Sequence, residues 1–152
     1  GVLFLQKCKS IGGFAFQDCK FKNAINLPKC RFIGNYAFYN SEFQCVYNLL
    51  KCERIEECAF YNSWCTGELN IPRCKFLGGG AFFSSHFSKI VMAEHAVLED
   101  YCIGDNSKEF IEFYKLNNKK AGTYMLIDDK WYFYTGTYML IDDKWCFYNN
   151  HR

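Results

Sequence analysis

The stretch Ile25-Asn26-Leu27-Pro28-Lys29-Cys30-Arg31-Phe32-Ile33-Gly34-Asn35-Tyr36-Ala37-Phe38-Tyr39-Asn40-Ser41 decides the reading of the chain, because its pattern returns at a fixed distance. Ala-Phe occurs at Ala15-Phe16, Ala37-Phe38, Ala59-Phe60 and Ala81-Phe82, each copy 22 residues after the last. Cys8, Cys30, Cys52 and Cys74 keep that step, and so do Ile11, Ile33, Ile55 and Leu77. Two further columns are Leu5, Leu27, Leu49, Ile71 and Leu3, Ile25, Tyr47, Leu69. The last two columns lie two residues apart, which suits a short strand turning alternate side chains inward. Ile33 and Ala37 lie four apart, as in one helical or 3₁₀ turn. Phe21, Phe43 and Phe87 close the coil, and the third copy departs, with Trp64-Cys65 there and Glu56 where Gly12, Gly34 and Gly78 stand. One such unit cannot bury its apolar side, but stacked units can, so the pattern predicts a solenoid with a parallel strand ladder.

The run from Ile25 to Ser41, with its L-x-x-C-x-x-I-G-x-x-A-F-x-x-S order, resembles the BspA-type leucine-rich repeat. The resemblance covers residues 1–93. It implies an α/β-type leucine-rich-repeat solenoid, curved, with a non-catalytic role in binding, often adhesion at the surface of bacteria or protists. A fifth copy at the same step would place Cys at Ala96 and Ile at Glu99, so the four repeats are expected to give way there to a terminal turn that ends or caps the solenoid.

Ten Cys admit five disulfides or a metal site on count alone. The resemblance implies a packed column after the strand, so Cys8, Cys30, Cys52 and Cys74 read as stacked buried thiols, small apolar fillers. Ligand-like spacing is missing, because no two Cys are two to four residues apart and His86, His95 and His151 stand singly. Beside the column lie Lys7 and Lys9, Lys29 and Arg31, Lys51 and Glu53, Arg73 and Lys75, seven of the eight basic. Rungs about 4.8 Å apart stack these charges into a row. That row reads either as a stripe for an acidic protein or an anionic polysaccharide, or as solvated Lys that guards against aggregation. Asn26, Asn48 and Asn70 lie between the two inward strand residues and should form an outward amide row. It would hydrogen-bond a partner's backbone or a sugar, or bond along itself.

Beyond the repeats, Glu94 to Tyr101 reads as a short helix and Glu109 to Leu116 as a strand. Then Gly122 to Tyr134 recurs at Gly136 to Tyr148 with one change, Tyr132 to Cys146. Each copy places apolar and aromatic residues around an Asp-Asp pair, a hairpin signature. Trp131, Tyr134, Trp145 and Tyr148 read either as a glycan-stacking platform, in loose likeness to cell-wall-binding aromatic repeats, or as meander aromatics packed on the solenoid.

The chain has 152 residues, half of them apolar and 22% charged, which is not a disordered composition. No apolar run reaches the length of a membrane span, and a net charge of +2 does not suit a dedicated nucleic-acid binder. That small total combines +5 over residues 1–93 with −3 over residues 94–152. Val2-Leu3-Phe4-Leu5 is too short for a signal peptide's apolar core, and Gly1 in place of Met points to a processed chain or a piece of a longer one. No nucleophile–base constellation has context, Gly78-Gly79-Gly80 lacks the following Lys-Ser/Thr of a phosphate loop, and adjacent Asp in a turn point apart.

The expected organisation is a solenoid over 1–103 and a small β-hairpin appendage over 104–152. The expected function is a non-enzymatic protein-interaction or adhesion module without cofactor or metal, neither inserted in a membrane nor bound to nucleic acid. The alternative is a carbohydrate- or cell-wall-binding protein whose hairpins bind. The resemblance suggests a cell-surface or secreted setting, with the cytoplasm left open.

Overall fold

The computed structural model describes residues 2–136, 138–141 and 144–147. Asp142, Asp143 and Tyr148 lie outside the described residues, as do the side chains of Tyr47 and Trp145. In chain order the strands are β1 (Ser10–Ile11), β2 (Ile25–Asn26), β3 (Phe32–Ile33), β4 (Val46–Tyr47), β5 (Arg54–Ile55), β6 (Thr66–Ile71), β7 (Phe76–Leu77), β8 (His86–Met92) and β9 (Val97–Leu98). Helix α1 (Ser107–Leu116) follows, then β10 (Gly122–Ile127), β11 (Lys130–Tyr134), β12 (Tyr138–Ile141) and β13 (Lys144–Phe147).

Each turn of the coil is one rung, and the rungs stack in register. The Ile column builds a five-stranded parallel ladder, β1-β3-β5-β7-β9, in which Ile11 pairs with Ile33, Ile33 with Ile55 and Ile55 with Leu77. The expected ladder of the L-x-L columns is present but interrupted, since β2 pairs with β4 and β6 with β8 as two separate parallel pairs. On the coil side the backbone links rung to rung as well: Phe16, Phe38 and Phe60 donate their N–H to Ala37, Ala59 and Ala81.

The core is a stack of rings with small residues between them. Phe16, Phe38, Phe60 and Phe82 lie face to face at 5.2, 5.1 and 4.9 Å, with Phe43 and Phe87 edge-on against them. Ser41 and Ser63 are fully buried one rung apart; their hydroxyls donate to Phe16 and Phe38 carbonyls at 2.5 and 2.9 Å. Each turn bends through left-handed residues, with φ near 57° at Tyr36 and 54° at Asn40 in the second rung and their counterparts 22 positions away. The outer amides tie these bends together, Asn62 donating to Asn40 and Asn40 to Asp18 at 2.8 Å each.

The thiol column lies inside as a row of donors. Cys30, Cys52 and Cys74 are buried, and each Sγ donates to the carbonyl two residues on, Phe32, Arg54 or Phe76, at 3.3, 3.5 and 3.1 Å. Cys8 makes the same bond to Ser10 but is half-buried, on the first rung. Burial pushes the Cys30 and Cys74 thiols up to about 11 and pushes Cys52 up as well. The nine cysteines from Cys8 to Cys102 are all free thiols.

Two expectations fail beyond the fourth copy. Val97–Leu98 adds a fifth rung within the expected bounds of the solenoid, with Leu98 paired to Leu77. This step is 21 residues, so a search at 22 reads Glu99 where the ladder uses its neighbour. Cys102 takes the place of the rung's Ala, accepting the Phe82 N–H at 3.0 Å. Glu94 to Tyr101 is accordingly turn and β9 rather than a helix.

The expected strand over Glu109 to Leu116 is helix α1. Ser107, Phe110 and Tyr114 are its buried residues, spaced three and four apart on one helical face. Gly104 marks the handover; its φ is 102°, and a Cβ there would collide with the Ser85 carbonyl. The helix is fastened by Tyr114, whose buried hydroxyl accepts the Ala96 N–H at 3.0 Å and donates to the Ala93 carbonyl at 2.7 Å.

The tandem hairpins form as β10–β11 and β12–β13. Asp128 and Asp129 have φ of 48° and 62°, as the two-residue hairpin turn requires. β10 pairs antiparallel with β8, so the hairpins lengthen the solenoid's own strand pair into a six-stranded sheet, β6-β8-β10-β11-β12-β13.

Two measurements check this packing. Phe60→Ala removes a fully buried ring from the middle of the stack and should cost about 3–5 kcal/mol in urea unfolding. The thiols predict the alkaline limb: folded pKa values lie above the ordinary 9.0, so the unfolded chain loses protons first. Stability is then flat below about pH 9 and falls as pH rises from there towards about 11. Cys30→Ala should flatten that fall, read from denaturation midpoints across pH.

Candidate functional site

Alternation along a strand sends one set of residues inward and the other out. In β6 and β8, Leu69, Ile71, Ile90 and Met92 are buried, so Glu68, Asn70, Lys89 and Val91 face outward. The register carries this face across strands. Asn70 pairs with Val91, Val91 with Thr123 and Thr123 with Tyr134. One step along, Glu68 pairs with Lys89, Lys89 with Met125 and Met125 with Tyr132. Lys89 Nζ lies 3.6 Å from Glu68 Oε2, which fixes both side chains on that face. A single outward surface therefore runs from the fourth rung into the first hairpin.

The predicted amide row stands on the same side of the coil but is not continuous. Asn48 Nδ2 donates to Asn26 Oδ1 at 2.9 Å, so these two amides bond along the row. Between them and Asn70 the ladder opens, because β4 pairs with β2 and β6 with β8. A cavity of about 320 Å³ occupies the opening, lined by Val46, Asn48, Leu49, Glu68, Leu69 and Asn70. Asn48 sits there with a left-handed backbone, φ 61°, and is exposed. Two amides and a carboxylate thus edge a notch with an apolar floor, which offers donors and acceptors to an extended chain laid across the rungs.

Other predicted residues fall elsewhere. Lys7, Lys29, Arg31, Lys51, Arg73 and Lys75 are all exposed along the corner beside the thiol column. The row is partly answered from within the chain: Arg31 Nε lies 4.0 Å from Glu53, and Lys75 Nζ donates to the Glu94 carbonyl at 2.5 Å. Both contacts are solvent-exposed and of small energetic consequence. Trp131 is not an exposed stacking ring. It is 6% exposed and packs edge-on at 4.9 Å against Phe110 of α1, because β11's inner face closes on that helix. Tyr124 and Phe133 pack in the same cluster, Tyr124 against Phe110 at 5.5 Å and against Phe133 at 5.1 Å. Tyr134 is half-buried on the outward face, its hydroxyl donating to Gly136 O at 2.6 Å.

Sequence reasoning missed Glu68, Lys89, Thr123, Met125 and Tyr132, since it treated the hairpins as separate from the coil. The alternation in Glu68-Leu69-Asn70-Ile71 and Lys89-Ile90-Val91-Met92 was a visible signal of an outward row. Which strand would lie beside it was not. Among the described residues no group of three or more His, Cys, Asp or Glu side chains could hold a metal ion. No helix among them is long and apolar enough to cross a membrane.

Comparison with known proteins agrees with the coil. A family model described as BspA type leucine rich repeat region matches residues 2–109 in six copies. No curated protein and no solved structure matches the chain.

Proposed function

The chain belongs to the BspA-type leucine-rich-repeat family, and on that premise we propose that it is a non-enzymatic interaction module that grips an extended segment of a protein partner. The observation that carries this reading is the continuous outward face from the notch at Asn48 and Asn70 to Tyr132 and Tyr134 on the first hairpin. Repeat proteins of this family are generally interaction scaffolds, and the solenoid offers its partner a row of fixed positions rather than a reactive centre. The rigid ladder holds the face in place, so little ordering entropy is lost on binding. Polar groups at the notch recognise backbone, and the tyrosines supply large, low-entropy contact area. The setting that suits such a module is the cell surface or the secreted fraction, where adhesion takes place.

A second reading, carbohydrate binding, draws on the same residues, because amides beside half-buried tyrosines also suit a sugar. Its platform would be Tyr132 and Tyr134, since Trp131 is enclosed.

Selection of a displayed random-peptide library on the full chain, run beside a glycan array, separates the two. The expected result is a family of peptides whose affinity falls about tenfold or more in Asn70→Ala and Tyr132→Ala. Peptides indifferent to both substitutions, together with a glycan signal that disappears in Tyr132→Ala, would overturn the protein-binding reading.

A further inference from the structure

A second surface lies on the coil side of the rungs and shares no residue with the strand face. Phe14 stacks on Tyr36 at 5.1 Å, and Tyr36 leans on Tyr39 at 5.4 Å. Tyr39 then stacks on Tyr61 at 5.0 Å, Tyr61 on Phe83 at 4.6 Å, and Phe83 meets Tyr101 edge-on at 5.9 Å. The six rings form one unbroken row from the first rung to the fifth. Unlike the Phe16-to-Phe82 stack, this row reaches solvent. Its end rings, Phe14 and Tyr101, are 60% and 61% exposed, and the four between them are half-buried.

The backbone beneath the row is costly for these residues. Phe14, Tyr36 and Tyr101 have φ of 59°, 57° and 59°, and the equivalent place in the fourth rung is Gly80 at φ 63°. Glycine occupies that conformation without strain, whereas an aromatic residue there is uncommon. Three rungs thus accept local strain and present a ring where a glycine would close the turn.

Charge says what the rings face. The coil segments 12–19, 34–41, 56–63, 78–85 and 99–106 hold six carboxylates and no Lys or Arg. Seven of the solenoid's basic residues flank the thiol column and Arg54 and Lys89 lie on strands; Lys20 and Lys22 follow the first coil segment, where Lys20 pairs with Glu42 at 2.9 Å. Glu57 and Asp100 are exposed next to the row, Asp100 adjoining Tyr101. At the Tyr101 end a cavity of about 540 Å³ opens, edged by Asp100, Asp105, Glu109 and Glu112, with Lys108 and Lys115 also on its wall. Exposed ring faces beside carboxylates favour a planar cation, and a guanidinium stacks on a ring as well as pairing with a carboxylate. The chain makes such a pair itself, with Arg54 lying 4.1 Å over the Phe76 ring.

We propose that this aromatic row docks an arginine-rich segment of a protein partner, with one guanidinium over Phe14, another over Tyr101, and carboxylates alongside. Five rungs about 4.8 Å apart set the two end rings roughly 20 Å apart. An extended chain spans that in about six residues, so arginines at both ends of such a stretch match the row.

Anisotropy of a labelled hepta-arginine peptide, titrated with the full chain, tests the assignment. The useful variant is Phe14→Gly with Tyr101→Gly, because Gly80 already serves that place in the fourth rung and the fold should persist by circular dichroism. Saturable binding is expected, weakened about tenfold in this double variant and again in Glu57→Gln with Asp100→Asn. Absent binding, or affinity unchanged in the double glycine variant, would overturn the proposal, as would equal affinity for a hepta-glutamate peptide. Self-association of the chain abolished by the same substitutions, without hepta-arginine binding, would make a second copy the occupant and overturn it too. None of these substitutions lies on the strand face, so this surface and the proposed peptide grip fail independently.

Discussion

Everything in this molecule depends on successive rungs stacking in register, even where a step shortens from 22 to 21 residues. Inter-rung hydrogen bonds on the β1-to-β9 ladder and on the coil side can all form only if successive turns place the same backbone groups one above another. The ring stack has the same requirement, since Phe38, Phe60 and Phe82 meet face to face at about 5 Å only when each returns to the same point of the coil. No rung could bury its phenylalanine alone. The stack removes apolar rings from water and leaves the intervening Ser, Ala and Cys to fill and satisfy the turn.

Register also organises the surface. Whatever a rung carries at one position is set beside its counterpart on the next, so single side chains become rows: thiols inside, bases on one corner, amides at the bends and rings along the coil. Rows of like charge repel and rows of amides bond along themselves, which accounts for the different behaviour of the basic corner and the Asn62–Asn40–Asp18 chain. Where a rung departs, the row stops. The third copy closes on Trp64-Cys65, and after Thr66-Gly67 the fourth rung has the long β6 where earlier rungs have two-residue strands, with the notch opening beside it. Trp64 itself is 68% exposed with φ 55°, an outlier for a bulky residue at the same departure.

The tail solves the problem of an open strand edge. β8 would present unpaired backbone groups on the side away from β6; β10 covers them, and α1 covers the apolar face that results, Phe110 packing on Trp131 and Tyr114 on Tyr124. The aromatic wealth of the tail is therefore partly structural, with Tyr124 fully buried and Trp131 nearly so, while Tyr132 and Tyr134 alternate onto the outer face. The duplicated hairpin reads the same in sequence whether it stands apart or joins the coil, and joining it is what unites the two candidate binding regions into one surface.

The amino-acid sequence by itself determined the rung: its period, the Ile, Ala-Phe and Cys columns, and the acidic turn at Asp128-Asp129. These follow from repetition and local turn chemistry, which act within a few residues. It put the column through Ile25 and Tyr47 one residue off, since Ile25 pairs with Val46. It misled at Glu94–Tyr101 and Glu109–Leu116, where single-segment propensity was read without the neighbours that decide it. A one-residue shortening kept Val97–Leu98 in the ladder, and Phe110 and Tyr114 found a surface that only a helix could match. Only the tertiary structure decided where the ladder breaks, which edge β10 pairs with and which rings stay exposed. Those choices depend on which backbone groups and apolar faces remain unsatisfied once the rungs have stacked, and partners far apart in sequence settle them.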